Sequence, residues 1–178
     1  SSLIDNQRPF FEDIAGWIAV RFTEATHAIQ LAVQAELNQS GLSLAQLLNS
    51  RVPRWELLEG LASLLDIDVS QWLADEQPYL TAAQVTSLLR DGFHVGAHSV
   101  DHPLFSAITP EKRIEQVTNS LRNLRRAFPT VSPVFAFPYG EFDLSGRDLC
   151  ALQKDGEVSM WFGTRGIVMD QMEPLLVQ

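Results

Sequence analysis

The sequence predicts an α/β fold carrying an all-helical segment ahead of it. Two observations lead there. From Thr81 onward the patterns alternate as helix, strand, helix, strand, helix, strand, while over 10–77 the apolar residues recur only at helical intervals. Such alternation implies parallel strands joined by crossover helices, in an open layer or a barrel. A chain of 178 residues, 46% of them hydrophobic, can also bury a sizeable core.

The first segment opens with Ile14, Trp17, Ile18, Ile29, Val33 and Leu37, with Ala25, Ala28 and Ala32 in the same stripe, which reads as one long amphipathic helix over 10–37. Ser40-Gly41 breaks it. Leu44, Leu47 and Leu48 begin a short helix, and Pro53 precedes a run with Trp55, Leu58, Leu61, Leu64 and Leu65. A helical hairpin or small bundle fits this segment.

Thr81 and Gln84 form a capping-box pattern, flanked by Leu80 and Val85 at the staple positions, and Gly92 supplies the left-handed residue that ends that helix. Phe93, Val95 and Ala97 alternate on one face of a short strand, which places His94 on the other. Thr109-Pro110-Glu111 starts a further helix with the stripe Ile114, Val117, Leu121, Leu124 and Phe128. Val134 to Phe137 reads as a buried strand ending at Pro138-Tyr139-Gly140. A short helix over 144–152 and a strand over 158–162 complete the alternation.

Charge and cysteine content exclude several classes. Acidic residues outnumber basic ones 22 to 13, and a net charge of -9 disfavours a phosphate backbone, so nucleic acid is not an expected partner. No run approaches the roughly 20 apolar residues that a transmembrane helix needs. Cys150 is the single cysteine, which rules out an internal disulfide framework and a multi-thiolate zinc site. The start at Ser1 without methionine and the abrupt finish at Gln178 are those expected of an internal segment of a longer polypeptide.

Two short runs could carry chemistry. His98-Ser99-Val100-Asp101-His102-Pro103 follows the strand at 93–97, so both imidazoles should emerge at its carboxyl end, where α/β folds place their sites. If the intervening residues make one helical turn, His98 and His102 share a face and could hold one divalent metal, preferably zinc. A bare pair of histidines four apart arises more often by chance on a helix or turn surface. The second run is Phe135-Ala136-Phe137-Pro138-Tyr139-Gly140, in which a rigid proline and a permissive glycine fix a turn and present the backbone amide of Tyr139, able to donate to an oxyanion.

Together the two runs resemble the polysaccharide deacetylase family, the NodB-like carbohydrate de-N-acetylases. His98, Ser99, His102 and Pro103 match the family's second motif, and Pro138, Tyr139 and Gly140 match the end of its third. The resemblance covers about 81–166, with Trp161 to Gly166 as a later strand-to-loop exit. It implies a distorted, incomplete (β/α) barrel, with 1–9 a remnant of a preceding strand or loop, 10–80 a helical insertion and 81–178 the α/β core segment. It further implies that His98 and His102 are ligands to a divalent metal, zinc first. By the same resemblance the Tyr139 amide steadies an oxyanion, Pro138 and Tyr139 line the substrate site, and the reaction is hydrolysis of N-acetyl groups on a glycan.

The sequence departs from that pattern in three places. The aspartate pair of the first motif should lie ahead of the helical segment, where only Ser1 to Pro9 stand; Phe11-Glu12-Asp13 resembles it but opens a helix, where acids are favoured anyway. Ala136 replaces the arginine two residues before the motif's proline. No histidine follows His102, so the late general-acid motif is missing. An internal segment of this kind is expected to be inactive alone. The competing reading is a glycan-binding module on a deacetylase-like fold that does not cleave, and a third leaves the histidines purely structural. Trp17, Trp55 and Trp72 could form a sugar-stacking surface, although aromatics at helical spacing are usually core; His27 and Asp101 read as a solvated residue and a turn residue.

Overall fold

The computed structural model describes residues 4–142, 144–156 and 158–164. They fall into two compact units that divide between Leu80 and Thr81.

The first unit is all-helical: α1 (Phe11–Glu24), α2 (His27–Gln39), α3 (Leu44–Leu48), α4 (Trp55–Leu64) and α5 (Val69–Glu76), after a 3-10 turn at Ile4–Asn6. The single helix expected over 10–37 is thus two. Ala25 and Thr26 are extended, and the Thr26 hydroxyl accepts from the Ile29 amide, so a capping threonine outcompetes helix continuation although the apolar stripe runs on. Ile14, Ile18, Val33, Leu37, Leu58 and Leu61 are buried together as the core. Trp17 and Trp72 pack edge to face at 4.4 Å, and the Arg8 guanidinium lies 3.5 Å from the Trp55 ring centre. The start of α1 lacks a side-chain cap of its own. Tyr79 takes that part: its hydroxyl accepts from the Phe10 amide at 2.6 Å and donates to Asp13 Oδ2 at 3.0 Å. Burial pushes the Tyr79 phenol up to about 12, with the Asp13 carboxylate adding to the rise.

The second unit contains α6 (Ala82–Arg90), α7 (Pro110–Ala127), β1 (Val134–Ala136), α8 (Gly146–Gly156) and β2 (Met160–Phe162). Helix α6 begins with the Thr81/Gln84 capping box. It ends with a Schellman arrangement, in which Gly92 at φ +89 donates to Leu89 and Phe93 donates to Leu88. That use of the Phe93 amide accounts for a correction. The run 93–97 is not a full strand: only Ala97 bridges β1, parallel, opposite Phe135, and Phe93 is 62% exposed because it belongs to the helix stop. Val95 still accepts from Ser132, so the segment runs alongside β1, and Gly96 leaves no room for a Cβ against the Val134 backbone. β1 and β2 pair in parallel with Phe135 opposite Trp161.

The unit has the parallel pairing expected of an α/β fold, but among the described residues it is mostly helical, with two short strands that do not form a barrel. Both strands are shorter than their apolar patterns, β1 stopping before Phe137 and β2 starting after Ser159. Helix α8 begins two residues later than the pattern and reaches Gly156. Arg165 and Gly166, assigned to a strand exit, lie outside the described residues. The core is aromatic: Phe105, Phe135, Phe137 and Trp161 are each 3% exposed or less, and Phe137 stacks on Trp161 at 5.2 Å and 17°. Val117, Leu121 and Leu124 on the predicted face of α7 are buried, as is Phe128 just past its end, while Ile114 is half-buried.

Candidate active site

The aromatic core puts a load of side chains on one side of β1, with Phe135 and Phe137 inward, and this turns Ala136 the other way. Its carbonyl oxygen lies 2.9 Å from His98 Nδ1. A carbonyl can only accept, so Nδ1 carries a proton, and in the neutral ring this leaves the lone pair on Nε2. The exposed His98 ring meets the His102 ring edge to face at 4.7 Å, and His102 in turn meets Tyr139 at 4.7 Å and 75°. The structure therefore brings together the rings of His98, His102 and Tyr139, three of the four sequence-predicted residues, from two loops at the carboxyl ends of neighbouring backbone segments.

The histidines do not share a helical turn. Ser99 and His102 have left-handed backbone, at φ +67 and +57, and so does Tyr139 at +58, next to Gly140 at +121. Three such non-glycine residues in one site mark backbone held away from its preferred wells by its surroundings. The Ser99 hydroxyl, 4% exposed, accepts from the His102 amide at 3.0 Å, which gives the serine between the histidines a physical purpose. Pro138 is fully buried and anchors the second turn.

Two residues of the surroundings had no sequence signal. Gln116 on α7 accepts through Oε1 from the amides of Val100 and Asp101, at 2.9 and 3.1 Å, and donates through Nε2 to Asp101 Oδ2 at 2.9 Å. Glu141, 3% exposed, accepts from the Thr164 amide at 2.8 Å, and Gly163 has no Cβ where that carboxylate lies. A polar residue at the border of an apolar helix stripe looks like ordinary surface, and an acid after Pro-Tyr-Gly looks like a turn. Asp101 serves the loop itself, as its turn-residue reading expects, and His94 is exposed, 3.0 Å from Ser132 Oγ. His27 is exposed as the first residue of α2. Among the described residues no three of His, Cys, Asp and Glu come together as a metal cluster, and no helix is long and apolar enough to cross a membrane.

A family model described as polysaccharide deacetylase matches residues 66–154, half of the chain, taking in both histidines and the Pro138-Tyr139-Gly140 turn. The chain belongs to the polysaccharide deacetylase family. No curated protein and no solved structure matches it significantly. The match begins inside the helical unit, ahead of α5, whereas the deacetylase motifs themselves lie between His98 and Gly140. Membership in the polysaccharide deacetylases makes glycan deacetylation, a hydrolase reaction, the general activity to which this site relates.

Proposed function

We propose that His98 and His102 hold a divalent cation, zinc first, for hydrolysis of N-acetyl groups on a polysaccharide or related glycan. The observation that carries this is the bond between His98 Nδ1 and the Ala136 carbonyl. An imidazole whose Nδ1 proton is committed to a backbone acceptor has a fixed ring and a basic Nε2, the arrangement that metal-ligating histidines use. The donor set suits the group: neutral imidazoles are good zinc ligands, and these two rings are in contact. When bound, the cation would supply Lewis-acid polarisation of the N-acetyl carbonyl.

The remaining parts belong to the chain. Pro138, fully buried, fixes the turn from beneath, and the Tyr139 ring packs against His102, so substrate would approach along the Tyr139 side of the turn. The Tyr139 amide would donate to the oxyanion that develops on the carbonyl. The α/β unit would form part of the distorted (β/α) barrel that the family resemblance implies.

The test is zinc binding by calorimetry and acetate release from N-acetylated chitooligosaccharides, comparing the chain and a version extended at both ends with a His98→Ala plus His102→Ala double variant of each. Zinc-dependent acetate release lost in the double variant is the expected result. Zinc and glycan binding with no acetate release from either length would make the protein a glycan-binding module. Equal zinc binding by the double variant would sink the ligand assignment.

A further inference from the structure

Gln116 stands 14 residues beyond His102 in sequence, on the second turn of α7. It satisfies two successive backbone amides of the loop between His98 and His102 and one carboxylate oxygen of the same loop. The orientation of its amide is fixed by chemistry: turned over, Nε2 would face two N–H donors and Oε1 would face the Asp101 carboxylate. Three bonds from one side chain thus converge on the segment whose flanking residues, Ser99 and His102, hold the left-handed backbone. Left-handed backbone at a non-glycine residue is unfavourable and persists only where the surroundings enforce it. The bond from the His102 amide to Ser99 Oγ closes the turn locally, but it comes from within the loop and cannot set the loop's place on the fold. Gln116 does so from a helix buried along Val117 and Leu121.

We infer that Gln116 is the positioning residue of the site: clamped to Val100 and Asp101, it holds the loop so that the His98 and His102 rings meet in the orientation needed to share a cation. This deepens the proposed function and rests on its assignment of the two histidines. The clamp is also reversible in a specific sense. A carboxylate at position 116 would still accept from both backbone amides but would repel the Asp101 carboxylate, while an amide at position 101 would restore a donor to it. The exchange leaves the number of charges unchanged.

The experiment compares the wild-type chain with Q116A, Q116E and the exchange pair Q116E/D101N. Three readouts are taken: zinc dissociation constant, imidazole resonances of His98 and His102 in the zinc-free protein, and hydrogen exchange of the Val100 and Asp101 amides. We expect Q116A to raise the zinc dissociation constant by about 10- to 100-fold, the range for residues that orient ligands. It should speed exchange of both amides by about tenfold, the loss of one bond to each. The exchange pair should recover the zinc affinity and the imidazole resonances that Q116E alone loses. Unchanged imidazole resonances in Q116A overturn the inference, as does faster amide exchange with unaltered zinc affinity, which would leave Gln116 a structural tie only. Should Q116A fail to fold, Q116E against the exchange pair decides: no recovery overturns it. A wild-type chain that binds no zinc refutes the cation assignment instead, and the clamp is then judged by the imidazole resonances alone.

Discussion

His98 donates from Nδ1 to the carbonyl oxygen of Ala136, across 38 residues of sequence, and so shares its ring geometry with the central strand. Free imidazole favours the other tautomer, so the assignment is open to measurement. Nitrogen chemical shifts at a pH where His98 is neutral should show protonated Nδ1 and unprotonated Nε2. The reverse pattern would remove the argument for a ligand at Nε2.

The aromatic core behind β1 should dominate the stability of the α/β unit. Phe135 is fully buried among Phe105, Phe137 and Trp161. Phe135→Ala should cost about 3–5 kcal/mol in chemical denaturation. A loss under about 1 kcal/mol would mean that the cluster collapses around the gap and packs loosely.

Asp148 ties the start of α8 to α7. Ser145 donates to its carboxylate from both backbone and side chain, and Arg113 donates to it at 2.6 Å while also holding the Phe105 carbonyl. The Ser145 bonds first, and then the Arg113 charge, lower the Asp148 pKa below its ordinary value. A lowered carboxylate contributes stability that is complete above the unfolded pKa and is lost as pH falls through the folded one. The melting-temperature gap between wild type and Asp148→Asn should therefore be steady near neutrality and close below the ordinary aspartate range, under about pH 3.9. A gap that persists unchanged into that range would point to packing in place of charge.

In the helical unit the sign reverses. The Tyr79 phenol is raised to about 12 and is the protonated donor to Asp13, so its stabilising effect is full below the unfolded value near 10 and fades between the two. Alkaline absorbance titration should find one tyrosine ionising about two pH units late. In Tyr79→Phe that late step should vanish, and the variant should lose about 1–3 kcal/mol at neutral pH, since the Asp13 and Phe10 groups are deprived of this partner.

Much of this molecule was legible as pattern. The capping box at Thr81, the proline start of α7 and the Gly92 stop follow from local chemistry that three or four residues complete among themselves, and the structure has each. The His98, His102 and Tyr139 cluster was legible because the family's motifs name it. What escaped depends on competition or distance. Thr26 breaks an unbroken apolar stripe, because a cap and a stripe make opposite demands on the same residues. Phe93 looked like a strand residue until the helix stop claimed its amide. Gln116 could not be found at all, since its three partners lie 15 or 16 residues away and its own neighbours say only that it stands beside an apolar face.

The left-handed backbone at Ser99, His102 and Tyr139 sets a rule for anyone who would graft this site elsewhere. Two histidines placed four apart on a host helix would reproduce the spacing and lose the arrangement, because every residue there has negative φ. The portable unit is larger than its motif. It comprises the loop, the Ala136 carbonyl that orients one ring, and a side-chain amide delivered from a neighbouring helix, so a recipient scaffold must be chosen for its backbone first and its side chains second.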